Sequence, residues 1–553
     1  MFLSTTRRAL AAFPLALFLM PTSGMAESQA LRFDPLAISI TCALLDGGSA
    51  RGPILHFYRE RGFAPLWTGG DASTRERLRV LHSALAGAVD HALPSDRFSP
   101  ELLRSLLVAA RDPDTRAKSE VSITRLYLDL AHALTSGVVD PRDVDSAVKR
   151  EVKRRADGDL LRLIAKEDPG QGVRALLPSS PGYAAMLRQR AVLNGIVRSR
   201  DWTGPMPIAT VRPGDTGPAV VALRTKLQEN GLLRGNLSGV FGPEMQETVA
   251  EFQRLSGLEV DGVAGPDTIA ALNRSPEDRL AAVTVSLERE RWSSGFPTAG
   301  RSIVVNLPEF LARVMDDGQE VFVTRAVVGA VDDGKPTPEF SDEMTHIVVN
   351  PSWYVPPGII RRDYLPKLQA NPYALSAYEI VDRKGRPANR GAGFRQYTAT
   401  NFPFSIRQKP GPENALGQVK FMFPNPWSIY LHDTPAKSLF DRDSRAYSSG
   451  CVRLADPGGF ARVLLAPQDA DPEERFRSAV AAGREQRINL IEPVPVHLIY
   501  RTAFTDARGR LQFRPDVYGR DAKLLALLEQ EGVMSRPLTL ADDRALVESD
   551  DAG

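Results

Sequence analysis

Two residues stand out for the chemistry they could do together. His432 lies in Tyr430-Leu431-His432-Asp433-Thr434 and Cys451 in Tyr447-Ser448-Ser449-Gly450-Cys451-Val452-Arg453-Leu454, in a chain with only two cysteines and seven histidines. A cysteine attacks as its thiolate, and a nearby imidazole can take the thiol proton and later deliver it to a leaving group. Gly450 and the apolar alternation Val452, Leu454 put Cys451 where a tight turn enters a regular element. The amides of Ser449, Gly450 and Cys451 are then expected to converge on a developing oxyanion. As packing residues the pair would be a small buried hydrophobe and a loop histidine. Their flanks argue otherwise: Ser448, Ser449, Gly450 and Arg453 are poor core material, and 436–445 reads as a charged, solvated loop.

The elements that must position this pair are short and β-rich. Residues 303–307, 313–315, 321–323 and 347–350 are runs rich in β-branched residues between Asp-Asp-Gly and similar turns, and 420–423, 429–432 and 488–491 continue the pattern. Between Pro357 and Gly417 it breaks into a helical stretch, 364–369, and a Gly, Arg and Pro rich segment, 383–412. An insertion of that length beside a site predicts a lid, at about 358–417. Its Arg395 and Arg407 are candidates to meet substrate carboxylates, or else ordinary solvated arginines.

Ahead of the β-rich region the pattern is helical. Residues 27–205 form a helical scaffold in which 74–86, 102–109 and 123–134 carry apolar residues at helical spacing, with Phe63, Pro65, Leu66 and Trp67 as core or docking residues. A compact module, 209–274, follows a linker at 202–207, and two of its glycine turns lead into a proline in the first turn of a helix, at Pro243 and Pro266. Within 275–300, Ser275 caps a helix running to Trp292, whose apolar face of Leu280, Val283 and Leu287 is expected to pack back on the scaffold. The β-rich domain takes up 301–521, and 522–553 is a C-terminal helix and tail. The fold class is therefore multidomain α+β.

A length of 553 residues agrees with several domains, and 43% hydrophobic with 25% charged residues is ordinary for globular protein. A net charge of +2 argues against a nucleic-acid partner bound by bulk charge, and the basic run at 149–155 reads as a solvated helix face. Residues 1–26 read as a signal peptide: Arg7 and Arg8, an apolar stretch at 9–20, then Gly24-Met25-Ala26. The apolar stretch is shorter than the roughly 20 residues of a spanning helix, so membrane attachment is expected only if the segment stays uncleaved. A disulfide between Cys42 and Cys451 would remove the thiol, so both cysteines are expected to be free, with Cys42 buried in the apolar run 38–45.

Phe252-Gln253, Gly257-Leu258 and Asp261-Gly262 make the compact module resemble the three-helix peptidoglycan-binding domain of bacterial wall enzymes. The segment around Cys451 resembles the L,D-transpeptidase family with its YkuD-type catalytic domain: His432, Ser448, Gly450, Cys451 and Arg453 match, while Ser449 stands where the commoner pattern has a second histidine. Thr337-Pro338, Asn350-Pro351-Ser352-Trp353, Val355-Pro356-Pro357 and Val517-Tyr518-Gly519-Arg520-Asp521 add to the resemblance, which points to the large periplasmic branch with a scaffold, a binding module and a lidded catalytic domain.

The resemblance implies a specific reaction. Cys451 would attack the carbonyl of meso-diaminopimelate in a tetrapeptide stem and expel D-alanine. A neighbouring diaminopimelate amine would then capture the thioester as a three-three cross-link. It implies His432 as base and then acid, an oxyanion hole at Ser449, Gly450 and Cys451, and substrate contacts from Arg453, Tyr430, Ser448 and Trp427. It also implies a periplasmic, wall-associated protein acting on peptidoglycan, possible contact with other wall-synthesis enzymes, carbapenem acylation of Cys451, and no cofactor or metal. An L,D-carboxypeptidase or a lipoprotein-to-wall coupling enzyme would share the acyl-enzyme, and a non-catalytic wall-binding protein is the alternative outside enzymes.

Overall fold

The computed structural model describes residues 35–46, 51–234, 238–296, 299–331 and 335–533. The expected signal peptide and the end of the expected C-terminal tail lie outside the described residues. No helix among those described is long and apolar enough to cross a membrane.

The scaffold is organised by the helix Pro113–Ser136, which begins with an Asp112 cap and Pro113 in its first turn and buries most of its length. Its Glu120 is fully buried and accepts from the Tyr58 hydroxyl at 2.7 Å, Leu66 N at 2.6 Å and Thr68 N at 2.8 Å. A buried carboxylate survives only when its oxygens are satisfied, so this cluster fixes the Leu66-Trp67 segment against the helix. Leu66 and Trp67 are both fully buried. Cys42 departs from expectation. It is free but exposed, because Ile40 and Leu44 take the buried face of the helix Pro35–Asp46 and Cys42 falls between them.

In the compact module, three helices (Pro218–Glu229, Pro243–Ser256 and Pro266–Leu272) enclose Val220, Leu223, Phe241, Val249 and Ile269. The Gln253 side chain explains the Phe-Gln…Asp-Gly pattern. Its Nε2 donates to Asp261 Oδ1 at 2.8 Å and Val263 O at 3.0 Å, while its Oε1 accepts from Gly262 N at 2.9 Å. Gly262, at φ +71°, makes the turn those bonds require. The next helix, Pro276–Trp292, packs against the scaffold helices Pro181–Ser199 and Pro113–Ser136. Its buried Glu288 accepts from Val138 N at 2.6 Å and Val139 N at 2.9 Å and pairs with the fully buried Arg291 at 2.6 Å.

The β-rich region has strands β1 (Arg301–Asn306), β2 (Leu311–Asp316), β3 (Gln319–Gly329), β4 (Phe340–Val349), β5 (Trp353–Tyr354), β6 (Tyr378–Val381), β7 (Ser405–Gln408), β8 (Val419–Met422), β9 (Leu431–His432), β10 (Ala446–Ser448), β11 (Val452–Leu454) and β12 (Gln486–Ile499). The main sheet runs β10-β3-β11-β9-β8-β4-β12-β1-β2, and β2 also pairs with β3, so the sheet closes on itself. Closure removes the free edges of an open sheet. Inside it lie Ile303, Val314, Ile347, Phe421, Leu431, Val452 and Leu498, with the helices Pro457–Leu465 and Pro472–Ala481 contributing Phe460 and Phe476. A short hairpin, β13 (Ala503–Thr505) and β14 (Leu511–Phe513), and the helix Arg520–Gln530 lead back onto the helix Pro276–Trp292.

The inserted segment is more ordered than a glycine-rich reading suggests. β5, β7 and β6 form a small sheet, and the helix Leu365–Ala370 follows a π-turn at Ile360–Tyr364. Trp353, Leu368, Phe394 and Ile406 give it a core of its own, and Tyr430 from the main domain packs against it. Arg395 and Arg407 each make a contact within this segment: Arg395 Nε donates to Gln369 O at 3.3 Å, and Arg407 pairs with Glu379 at 3.7 Å.

Candidate active site

Strand register places the site. Arg453 on β11 is opposite His432 on β9, and His432 is opposite Lys420 on β8. Alternation along a strand sends Val452, Leu431 and Phe421 to the core and leaves Arg453, His432 and Lys420 side by side on the other face. A buried imidazole thus has a cation on either side. Tyr430, two residues before His432 and on the same face, meets the imidazole with ring centroids 5.6 Å apart and lies under Lys420 Nζ at 5.9 Å.

His432 is 5% exposed, and its Nδ1 lies 2.5 Å from the Asp433 carbonyl. A carbonyl can only accept, so Nδ1 carries the hydrogen and Nε2 keeps its lone pair. Asp433 is itself fixed, accepting from Lys437 Nζ at 2.6 Å, Thr434 N at 2.7 Å and Gln418 N at 2.9 Å. Burial, reinforced by the Arg453 charge, pushes the imidazole pKa down to about 3. At neutral pH it is a neutral acceptor.

Cys451 is partly exposed at the entrance to β11, and its thiol donates to Ser428 O at 3.6 Å rather than to His432. Ser428 is held at φ +57° in a turn braced by Asn425, whose Nδ2 donates to Ile429 O at 2.8 Å. Burial pushes the thiol up to about 11; the Tyr430 amide and hydroxyl, then Arg453 and Lys420, pull the other way. The resting pair is therefore thiol and neutral imidazole.

The loop before Cys451 is tightly held. Ser448 Oγ donates to Cys451 O at 2.5 Å and accepts from Gly450 N at 3.1 Å. In the resting loop the Gly450 amide is thereby engaged by Ser448. Among the described residues the Ser449 and Cys451 amides donate to no protein acceptor. Gly450 has φ +118°, and an added Cβ would stand 3.3 Å from Ile429 Cδ1, so glycine is required twice over. Its carbonyl accepts from Thr337 Oγ1 at 2.8 Å, and that same oxygen accepts from Gly329 N at 2.8 Å. Arg520 Nη2 in turn donates to Thr337 O at 3.1 Å while its Nη1 pairs with Glu339 at 2.8 Å.

The other expected contacts are distributed around this loop. Exposed Ser449 meets Arg362 of the inserted segment at 3.5 Å. Trp427 is half-exposed and packs on Phe340 at 4.6 Å, in the turn that presents Ser428. Arg453 Nε is buried without a hydrogen-bond partner. His346 sits on β4, two strands from His432, bonded to Thr345 Oγ1 at 2.8 Å. Reading motifs missed Lys420; its place as the polar residue before Phe421 was the available signal, and only the register gave it a neighbour.

With this geometry in view, the likeness to known proteins has a physical footing. Residues 300–469 match the L,D-transpeptidase catalytic domain model, YkuD; 53–189 match a scaffold domain and 216–272 a peptidoglycan-binding domain. In chain order, three stretches are thus similar to a scaffold domain, a peptidoglycan-binding domain and an L,D-transpeptidase catalytic domain. It is 33% identical over 230 residues to a protein of Haemophilus influenzae named as an L,D-transpeptidase, which takes in 41% of this chain and 46% of that one, so the chain spans less than half of that relative. A shorter stretch of 65 residues is 37% identical to a spore cortex-lytic enzyme of Halalkalibacterium halodurans, covering 12% of this chain and 20% of that one. Among solved structures, the L,D-transpeptidase of Xylanimonas cellulosilytica aligns with 53% of this chain and 99% of its own, at 16% identity and a TM-score of 0.17.

Proposed function

We propose that the protein is a cysteine L,D-transpeptidase that joins two diaminopimelate residues of peptidoglycan in a three-three cross-link. The observation that carries this reading is the Cys451 thiol at the mouth of β11, the strand paired with β9, on which a buried His432 has a tautomer that leaves Nε2 free to accept. Substrate entering the site displaces the Ser428 contact, and the thiol proton passes to His432 Nε2 as sulfur attacks the diaminopimelate carbonyl. The C–S bond forms, the oxyanion takes hydrogen bonds from the Cys451 and Ser449 amides, and the C–N bond to D-alanine breaks as the imidazolium protonates the leaving amine. The acceptor amine then attacks the thioester and gives its proton to His432, and the C–S bond breaks to restore the thiol. Arg453, with its unpartnered Nε, offers a place for a stem carboxylate.

Water in place of the acceptor amine would make the same site a carboxypeptidase. Incubating the mature protein with disaccharide tetrapeptides and weighing the products decides: dimers lacking one D-alanine are expected, tripeptides alone would show hydrolysis, and no turnover by folded protein would reject both. Cys451→Ala is expected to abolish either product. Residual cross-linking by that variant would remove Cys451 from the mechanism.

A further inference from the structure

A cavity of about 580 Å³ opens where the binding module meets the scaffold helix Pro181–Ser199 and the β13–β14 hairpin. Its walls include Trp202 from the linker, Phe252 at the end of a module helix, Phe513 of the hairpin and Leu193 of the scaffold. Two arginines, Arg274 and Arg279, line it as well and lie over the Phe513 ring at 5.1 and 5.9 Å.

Neither arginine has a carboxylate partner among the described residues. Arg279 reaches only the Leu272 carbonyl, at 3.5 Å, and Arg274 has only the Phe513 ring. The acids nearest Arg274 are engaged elsewhere: Asp278 with Ser275 at 2.8 Å, Asp516 with Tyr500 at 2.6 Å and Asp521 with Arg289 at 2.5 Å. Other ions of the cavity wall are paired, Arg510 with Asp506 at 2.7 Å and Glu229 with Lys226 at 2.5 Å. Asp201 adds one acid to the wall, and neither guanidinium forms an ion pair with a carboxylate among the described residues, although Asp278, Asp516 and Asp521 act on Arg274 and Glu229 on Arg279 from further off. Burial lowers both arginine pKa values, and the Arg274 charge adds to the lowering of Arg279. Two partly desolvated like charges facing one space are unfavourable until an anion joins them, and guanidinium groups bind carboxylates in a fork geometry.

We propose that this cavity is a second binding site, taking a carboxylate-bearing segment of a peptidoglycan stem, with the carboxylate between Arg274 and Arg279 and the apolar part against Trp202, Phe252 and Phe513. The arginines and aromatic walls define the chemistry; the choice of stem peptide rests on the wall-enzyme reading above. Such a site lies apart from Cys451, so it would hold one strand of the wall while the catalytic domain works on another.

The test uses the full chain with Cys451→Ala, the variant expected not to turn over, and follows amide hydrogen exchange on adding a disaccharide tetrapeptide. Protection at 189–202 and 228–232 is expected, separate from any at the Cys451 loop. Arg274→Gln and Arg279→Gln should each weaken the junction protection about tenfold in ligand concentration, with the melting temperature and the Cys451-loop response unchanged. The methyl-esterified muropeptide should protect the junction equally poorly. Protection that survives both substitutions, equal protection by a neutral chitin trimer, or none at the junction would overturn the proposal. Failure of the transpeptidase reading is read separately, from the wild-type products.

Discussion

At the scale of single residues the puzzle is a nucleophile that rests protonated. With its pKa near about 11, the Cys451 thiol is ionised to roughly one part in ten thousand at pH 7. His432, pushed down to about 3, is unprotonated but a weak base in the resting site. Reactivity therefore depends on lowering the thiol pKa when substrate arrives, or on transfer concerted with attack. Alkylation of the resting enzyme by iodoacetamide is expected to rise about tenfold per pH unit from 6 to 10 and to level off only above that, with no inflection near 6.5. An inflection there would mean that His432 titrates normally. Lys420 favours the thiolate by its charge, so Lys420→Met should slow labelling by about three- to tenfold at a given pH and move the plateau upward. Motif order made His432 and Cys451 legible because each sits in a local signature. Lys420 was not legible, since its nearness to His432 comes from antiparallel register between β8 and β9, which no local spacing encodes.

At the scale of elements, the catalytic loop owes its shape to a brace from distant sequence. Thr337 Oγ1, which also accepts from the Gly329 amide, reaches Gly450 across 113 residues of chain, and Arg520 holds Thr337 across 183. Thr337→Val keeps the shape but strands a buried amide and a buried carbonyl, at a cost of about 1–3 kcal/mol. It should lower stability by that amount in urea titration and depress turnover more than substrate affinity, while Thr337→Ser restores both. Unaltered turnover would show that the loop holds itself. The sequence marked Thr337-Pro338 and 517–521 as parts of a pattern, but not why they belong to it: the reason is a bond network that exists only once the sheet has closed. An insertion was readable from interrupted strand periodicity, whereas its three-stranded sheet was hidden because β5, β6 and β7 are each four residues or fewer.

At the scale of the whole molecule, domain order was readable because each region has its own periodicity and its own turn residues. The joints were less so. Glu288 sits in a helix whose apolar stripe announced a packing partner, yet its pairing with Arg291 and with the amides of Val138 and Val139 needed the folded scaffold to appear. Glu288→Gln leaves Arg291 charged and poorly matched in the interior, and should destabilise the protein by about 3–5 kcal/mol, seen by calorimetry as a lower melting temperature. A change under about 1 kcal/mol would mean water reaches that joint. The stretch matching the catalytic domain model ends at 469, but β12 begins at Gln486 and runs between β4 and β1. A chain cut at 469 would be a cask missing one stave: β4 and β1 would each present bare amides and carbonyls to any passing strand, and aggregation is the expected fate of that fragment.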